Sequence, residues 1–591
     1  MLARRPVNVA APVLLVLTAA AGAQVPAELA EAIKKEGLSN SNVMAYEDEL
    51  TNGIGQRLTG SSNFLRACEW AKAEFEAMGL DVHLEKWDTW RNSWTRGQWS
   101  GRVVSPVEME LQIATPAWTA GTLGLVRGAL VAMPTDEEEF EQRRDSLRGA
   151  YVFDVNSIPN YGDEGGERGR RGGGRRGGIP GWLRDAAADA GIAGFVSSSR
   201  GTAEYPNRIR VFSSGRSPWL ARTQPTVPEI VVRQDQAKKL RDMMQDDGSV
   251  SVEFDIRNRF QGEADVYNVI AELKGTEKPD EYVVVCGHLD SWHQATGATD
   301  NGTGTTSTLE AARILTSVGA RPKRTIRFCL WGGEEQGLLG SRAHVNQRRE
   351  EMERVSCVLN HDTGTNWAQS LTVTEQMAPL MREAMAEVMT MSPPDDDHEG
   401  PVFDLRVRPE ISSGGGSDHA SFGAAGVPPF GWGLTGRSDY FGYTWHSQWD
   451  RYDVVIPEYQ RHTSTVIALT ALGVANLPQL LPREGVVRRS RGRGGDATTF
   501  FTAALGVEMD GLKFKTVQEA SKASAAGIQV GDAILKVNGA DVKTVAEIFS
   551  VLRDSGGSMT SEIELTLSRG EEQVKTKVTP FDRRGRGRRR R

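Results

Sequence analysis

The sequence predicts an α/β fold: a mostly parallel central sheet with flanking helices, a β-rich insertion ahead of the catalytic part, and a separate β-rich domain near the C-terminal end. Three observations carry this. From Val266-Tyr267-Asn268-Val269-Ile270 to about Leu477, strand and helix patterns alternate, as βαβ units require. Three apolar runs in that stretch, Tyr282–Cys286, Ile326–Trp331 and Val355–Leu359, have the form of strands buried on both faces. Between Pro116 and Asp255 the pattern changes to short strands and glycine turns, which marks the insertion.

At 591 residues the chain is several domains long, against a norm of ~100–200 residues per domain. Residues 1–23 read as a signal peptide, with basic Met1–Arg5, an apolar heart at Val13–Leu17 and an Ala21-Gly22-Ala23 cleavage site. The mature chain is therefore expected to be exported, to a periplasm or outside the cell. The apolar run falls short of the ~20 residues that span a bilayer, and no transmembrane segment is expected in the mature chain.

Residues 24–115 form the first part of the catalytic domain. From Glu28 to Leu80, apolar positions such as Phe64, Ala67, Trp70, Ala71 and Phe75 recur at helical spacing, and Gly79 stops the run. Trp87, Trp90, Trp94 and Trp99 then read as packed strands and loops rather than a ligand box. Residues 116–257 are the insertion, with a strand at Gly149–Asp154, a helix leading into a strand over Ala186–Ser199, and a Gly/Arg low-complexity loop at Gly165–Gly178. Residues 258–485 are the catalytic part and 486–497 a linker. Residues 498–581 are dense in short strands, with a tight turn at Asn538-Gly539, and 582–591 are a basic tail.

Cys68, Cys286, Cys329 and Cys357 are too few for a disulfide scaffold, and three lie in the strand runs, so they read as buried free thiols. A net charge of −7 excludes a globally basic nucleic-acid binder. The arginine runs Arg168–Arg176, Arg488–Arg493 and Arg583–Arg591 read as solvated segments.

The strand ends carry the chemistry. Sites in open parallel sheets form beyond the carboxyl ends of strands. The first run leads into Gly287-His288-Leu289-Asp290, the second into Glu334-Glu335 and the third into His361-Asp362. Thr299-Asp300-Asn301-Gly302 and Trp445-His446-Ser447 complete the set. A lone Glu-Glu pair is usually a solvated helix start, and Asp300-Asn301-Gly302 alone would be a helix N-cap. Together they hold the ligand types of a two-zinc hydrolase, whose metals stand ~3.5–4 Å apart and share one ligand. Asp300 would bridge, His288 and Asp362 would complete one zinc, and Glu335 and His446 the other. Asp290 is left to accept from the His288 ring, and Glu334 to act as general base.

At these residues the chain resembles the dizinc exopeptidases that include aminopeptidase Y, glutamate carboxypeptidase and carboxypeptidase Q, and most of all the last. GHLDSW (287–292), GATDNGTG (297–304) and RPKRTIRFCLWGGEEQG (321–337) carry the likeness, which spans roughly Glu28 to Pro482. It implies the same roles for His288, Asp300, Glu334, Glu335, Asp362 and His446, and a cis peptide after Asp300. It also implies that the insertion is a protease-associated (PA) domain acting as a lid. Residues 498–581 resemble a PDZ domain, which is not part of the usual carboxypeptidase Q plan; Leu505-Gly506-Val507 is the candidate loop for a peptide carboxylate. GGGSDHASF (414–422) resembles a stretch near the site in aminopeptidase relatives, making Asp418 and His419 candidate substrate contacts or a structural turn. Trp445 stands where several relatives have tyrosine or histidine, and no side-chain oxyanion donor is assigned there. Trp432, Tyr440, Phe441, Tyr443 and Trp445 suit either an apolar pocket or core.

The expected function is an exported exopeptidase that cleaves small peptides with water activated by two zinc ions and Glu334. Aminopeptidase and carboxypeptidase Q-like dipeptidase polarity both stay open, as does a homodimer. The rival of another class is a non-catalytic receptor or scaffold that binds through the PA and PDZ modules.

Overall fold

In the computed structural model of the chain, the central sheet has six strands. They are β1 (Asp81–Thr95), β2 (Arg259–Leu273), β3 (Lys278–His288), β4 (Arg324–Trp331), β5 (Val355–Asn360) and β6 (Pro429–Gly431), in the spatial order β1-β2-β4-β3-β5-β6. The structure describes residues 25–159, 178–487 and 505–579, apart from 216, 247, 396–399, 520, 543–546, 549–550, 552–561 and 571. The expected signal peptide, Gly165–Gly177 of the low-complexity loop, the linker from 488 and the basic tail lie outside the described residues.

Strands β3 to β6 run parallel, while β1 and β2 form an antiparallel edge against β4. β4 is buried at all eight positions, which accounts for its mostly apolar Ile326–Trp331 run. Its two arginines are paired, Arg324 with Glu281 at 2.6 Å and Arg327 with Glu272 at 2.8 Å and Glu351 at 2.9 Å. Helices α1 (Ala27–Ser39), α2 (Ser62–Ala77), α3 (Thr303–Ser317), α4 (Leu339–Gln347) and α5 (Pro457–Asn476) cover the sheet. Ser61 caps α2 by accepting from Phe64 N–H, and Pro457 opens α5 where no amide donor is needed. All four cysteines are buried and free.

Two glycines set how the functional segments approach each other. A Cβ on Gly287 would lie 2.7 Å from the Gly304 backbone, and one on Gly304 would lie 2.3 Å from the His361 carbonyl oxygen. The start of α3 therefore presses directly on the ends of β3 and β5. Thr305 ties that contact by donating from Oγ1 to the His288 carbonyl at 2.8 Å.

A buried polar network joins β1 to α4. Glu85 accepts from His344 Nδ1 at 2.9 Å, Asn268 Nδ2 at 3.0 Å and Arg348 Nε at 3.0 Å. Burial opposes the charge, but these donors hold Glu85 down at about 2, and burial holds His344 below its usual 6.5. Both shifts make acid destabilising: His344 withdraws stability as pH falls below about 6.5, and Glu85 as it falls from about 4.5 toward 2. Glu85→Gln is expected to lower stability by on the order of 3 kcal/mol at pH 7. Denaturant titrations at pH 7 and pH 3 should show the variant losing less on acidification than the parent.

The insertion is built on an eight-stranded mixed sheet that starts at Trp99–Ser105, ahead of Pro116, and ends at Val250–Ile256. The Trp99–Ser105 strand pairs antiparallel with Val250–Ile256 across the whole insertion. Trp90, Trp94, Trp118 and Trp219 pack together where β1 meets the insertion, with Trp94 Nε1 donating to Thr119 O at 2.8 Å. The tryptophans are packing residues.

The C-terminal unit, described by itself, is a sheet of short strands at Val507–Asp510, Lys513–Val517, Ala533–Val537, Ala540–Asp541, Ile563–Arg569 and Glu572–Val578. Leu505, Phe514, Ile534, Val537, Leu565 and Leu567 form its core. Asp532 anchors the turn before Ala533 by accepting from Arg569 Nη2 at 2.7 Å.

Candidate metal centre

Five loops converge beyond the carboxyl ends of β3, β4 and β5. β3 delivers His288 on its last residue, the Gly332-Gly333 turn after β4 delivers Glu334 and Glu335, and β5 leads to Asp362. Asp300 comes from the loop between β3 and α3, and His446 from the loop between β6 and α5. The Asp300–Asn301 peptide is cis. His446 holds the left-handed φ of 57°, unfavourable for a residue with a Cβ, which turns its ring toward the others.

The donor atoms face one another in two groups. His288 Nε2 lies 3.4 Å from Asp300 Oδ1 and 3.7 Å from Asp362 Oδ1. His446 Nε2 lies 3.2 Å from Asp300 Oδ2 and 3.1 Å from Glu335 Oε2. His288-Asp300-Asp362 and Asp300-Glu335-His446 each bring one ligand atom per residue within 4.8 Å of the others, and Asp300 belongs to both groups. Ligands ~2.0–2.1 Å from a tetrahedral zinc stand ~3.3–3.4 Å from one another, so these separations suit a pair of such ions.

The electrostatics agree. Burial pushes Glu335 up to about 7, helped by Asp300, and burial with Asp362 and Glu335 pushes Glu334 well above the carboxylate range. Burial opposes charge on His288, yet Glu334 and Asp362 drive its pKa well above 6.5. The protein alone thus gathers more buried negative charge than it balances, which divalent cations would compensate. His288 Nε2, Asp300 Oδ2 and Glu335 Oε1 are buried without a hydrogen bond, so their lone pairs are unspent. The residues fit two zinc ions.

The supporting groups depart from expectation at Asp290. The His288 Nδ1–H faces the Asp290 backbone carbonyl at 2.9 Å, and the Asp290 carboxylate stands further off at 3.5 Å. That carboxylate instead accepts from Glu334 N–H at 3.2 Å, Glu335 N–H at 3.3 Å and Thr59 Oγ1 at 2.9 Å. It holds the turn that presents both glutamates. Asp290→Asn would aim an amide N–H at one of those donors, and zinc affinity is expected to fall 10–100-fold, measured by chelator competition.

Sequence reasoning missed three supports. Arg57 is fully buried and donates to the carbonyls of Leu289 at 2.8 Å, Thr296 at 2.7 Å and Gly297 at 2.9 Å, buckling the His288 loop to the Asp300 loop. Asp450, four residues after His446, accepts from Thr299 N–H at 2.6 Å and Asp300 N–H at 3.1 Å. The insertion reaches the last loop: Phe212 packs edge-on to the His446 ring at 4.8 Å, and Val211 N–H donates to the His446 carbonyl at 3.4 Å. Only Asp450 had a sequence signal, its helical spacing from a ligand histidine.

Of the remaining candidates, Trp445 packs against His446 at 4.2 Å and Phe441 at 5.9 Å. Asp418 is fully buried, with burial raising it to about 7, and His419 Nδ1 lies 3.4 Å from Asn360 Nδ2 at the end of β5. Trp432 and Tyr440 are core, while Phe441 is exposed. In the C-terminal unit, Leu505 and Val507 point into the core and Gly506 takes a left-handed φ of 70° with its carbonyl accepting from Gln518 N–H.

Residues 268–471, which contain all five prospective ligands and Glu334, match the profile described as peptidase family M28. This segment is an M28 peptidase domain. Carboxypeptidase Q of Xenopus laevis is 27% identical to the chain over 434 residues, covering 73% of this chain and 85% of that protein. Carboxypeptidase Q of Mus musculus is 28% identical over 441 residues, covering 73% and 86%. Both spans exceed the M28 segment itself. A crystal structure of an M28 peptidase precursor from Shewanella amazonensis is similar at a TM-score of 0.55 and 25% identity, covering 77% of this chain and 98% of that one. Residues 513–564 match a PDZ domain, so the M28 domain shares its chain with a PDZ domain.

Proposed function

We propose that the protein is an exported zinc exopeptidase that hydrolyses the terminal peptide bonds of small peptides. The observation that carries this reading is the Asp300 carboxylate, with one oxygen 3.4 Å from His288 and the other 3.2 Å from His446. His288 and Asp362 would hold one zinc ion, Glu335 and His446 the other, and Asp300 would be shared. Bound there, the two ions supply Lewis acidity to the scissile carbonyl and to the attacking water.

Glu334 is placed to move the proton. Its Oε2 lies 3.8 Å from His288 Nε2, while the Asp290 carboxylate grips its backbone N–H. It accepts the proton of the attacking water and returns it to the leaving amine. The insertion, a PA-type lid in this reading, roofs His446 with Phe212 and restricts the site to short substrates or chain ends. The PDZ domain would bind a peptide C-terminus at Leu505-Gly506-Val507 by strand addition. Export rests on the N-terminal signal pattern, and among the described residues no helix is long and apolar enough to cross a membrane.

The test is mass-spectrometric product mapping on a decapeptide, with zinc counted on the purified protein. Stepwise removal from one end with about two zinc ions per chain is expected. Internal cuts, or zinc-free protein with no hydrolysis, would overturn the reading in favour of an endopeptidase or a binding scaffold.

A further inference from the structure

Beside the centre, on the Glu335–His446 side, lies a small cavity of about 10 Å³, room for one water-sized group, whose lining includes Asp300, Glu335, His446, Asp450, Trp292 and Gln294. Gln294 is 8% exposed, and its Oε1 is buried without a hydrogen-bond partner among the described residues. Trp292 Nε1 on the same wall is also buried without an acceptor. The wall itself is firmly fixed: Arg96 Nη1 donates to the carbonyls of His293 at 3.0 Å and Gln294 at 2.8 Å, and His293 Nε2 meets Thr115 O at 2.8 Å. The main chain is thus pinned while the side-chain oxygen is left unused. A buried acceptor with no partner is costly, and such groups are usually retained for a ligand.

The lining identifies the kind of ligand. Asp300, Glu335 and Asp450 contribute carboxylates, and neither lysine nor arginine lines the cavity. With Asp300 and Glu335 engaged by the metals, Asp450 and the Gln294 oxygen remain as acceptors, so a substrate carboxylate would find no cationic side chain in the lining whereas an ammonium would find an acceptor. In a peptide attacked at its first bond, the α-nitrogen is two covalent bonds, ~2.5 Å, from the reacting carbon. A carbonyl seated among the prospective ligands therefore places that nitrogen in the adjoining cavity. Resting on the peptidase reading above, we propose that Gln294 Oε1 accepts a hydrogen bond from the free α-ammonium group of the substrate. Gln294 is then the residue that selects unblocked amino termini, and the polarity of the enzyme is that of an aminopeptidase.

The test measures binding, so that it does not depend on turnover. In full-length protein carrying Glu334→Gln, calorimetry compares leucyl-leucine with N-acetyl-leucyl-leucine, with Gln294→Met and Gln294→Glu added in turn. The parent is expected to bind the free dipeptide at least about tenfold more tightly, Gln294→Met to bring the two within about threefold, and Gln294→Glu to keep the preference. A purely structural role would instead lower the thermal midpoint of Gln294→Met without changing the ratio. Equal or undetectable binding of the two dipeptides by the parent, or an unchanged preference in Gln294→Met, overturns the proposal. Hydrolysis of leucyl-leucine by the unsubstituted protein is scored separately, and its absence counts against the peptidase reading alone.

Discussion

Glu334→Gln is expected to lower kcat for an unblocked dipeptide by about 10²–10⁴-fold, with zinc content unchanged at two per chain. The expectation follows from geometry. Glu334 is absent from both groups of converging donors, which take their carboxylates from Asp300, Glu335 and Asp362. Its side chain is nevertheless within 3.8 Å of His288 Nε2 and keeps a little exposure, 10%. The amide of glutamine is isosteric and can still hydrogen bond, so the loop held by Asp290 keeps its shape while proton transfer is lost. Steady-state kinetics paired with metal analysis checks it. Near-normal turnover in the variant would remove Glu334 from the mechanism and with it the reason for a glutamate pair at this turn.

Asp300→Ala is expected to remove both metals together and to lower activity by on the order of 10⁴-fold or more. Each zinc site needs about three protein ligands, and without Asp300 each group keeps only two. Removing Glu335 or Asp362 instead leaves one group whole, so those variants should each retain about one zinc ion per chain. Zinc titration followed by calorimetry distinguishes the two patterns. The same linkage governs stability: a metal that binds only the folded chain raises the thermal midpoint, so a chelator should lower it in the parent and leave it unmoved in Asp300→Ala. If Asp300→Ala retained one tightly held zinc, a shared carboxylate could not be the basis of the centre.

The parts of this site that could be read from sequence are those where a side chain's identity is itself the chemistry. His288, Glu334, Glu335 and Asp362 follow strand-like runs, and the parallel register of β3 with β4 and β5 brings those ends together. What escaped was work done through the main chain. Arg57 grips four carbonyl oxygens, which every residue possesses, so nothing in the partner residues marks the contact. Asp290 was expected at the histidine ring and is instead occupied with two backbone amides. The strand ahead of Pro116 that joins the insertion's sheet escapes local reading for a related reason. Trp99–Ser105 finds its partner at Val250–Ile256, and a pairing so distant along the chain leaves no local periodicity to detect. Gln294 carried no signal because a glutamine in a loop is ordinarily solvated, and only its burial makes it informative.

The Arg57 buckle joins a segment near the start of the domain to two of the converging loops, while His446 is supplied some 390 residues later by the last of the five loops. A chain ending before residue 446 would hold the clasp but lack the final prospective ligand, so the second group of donors closes only when nearly the whole domain is present.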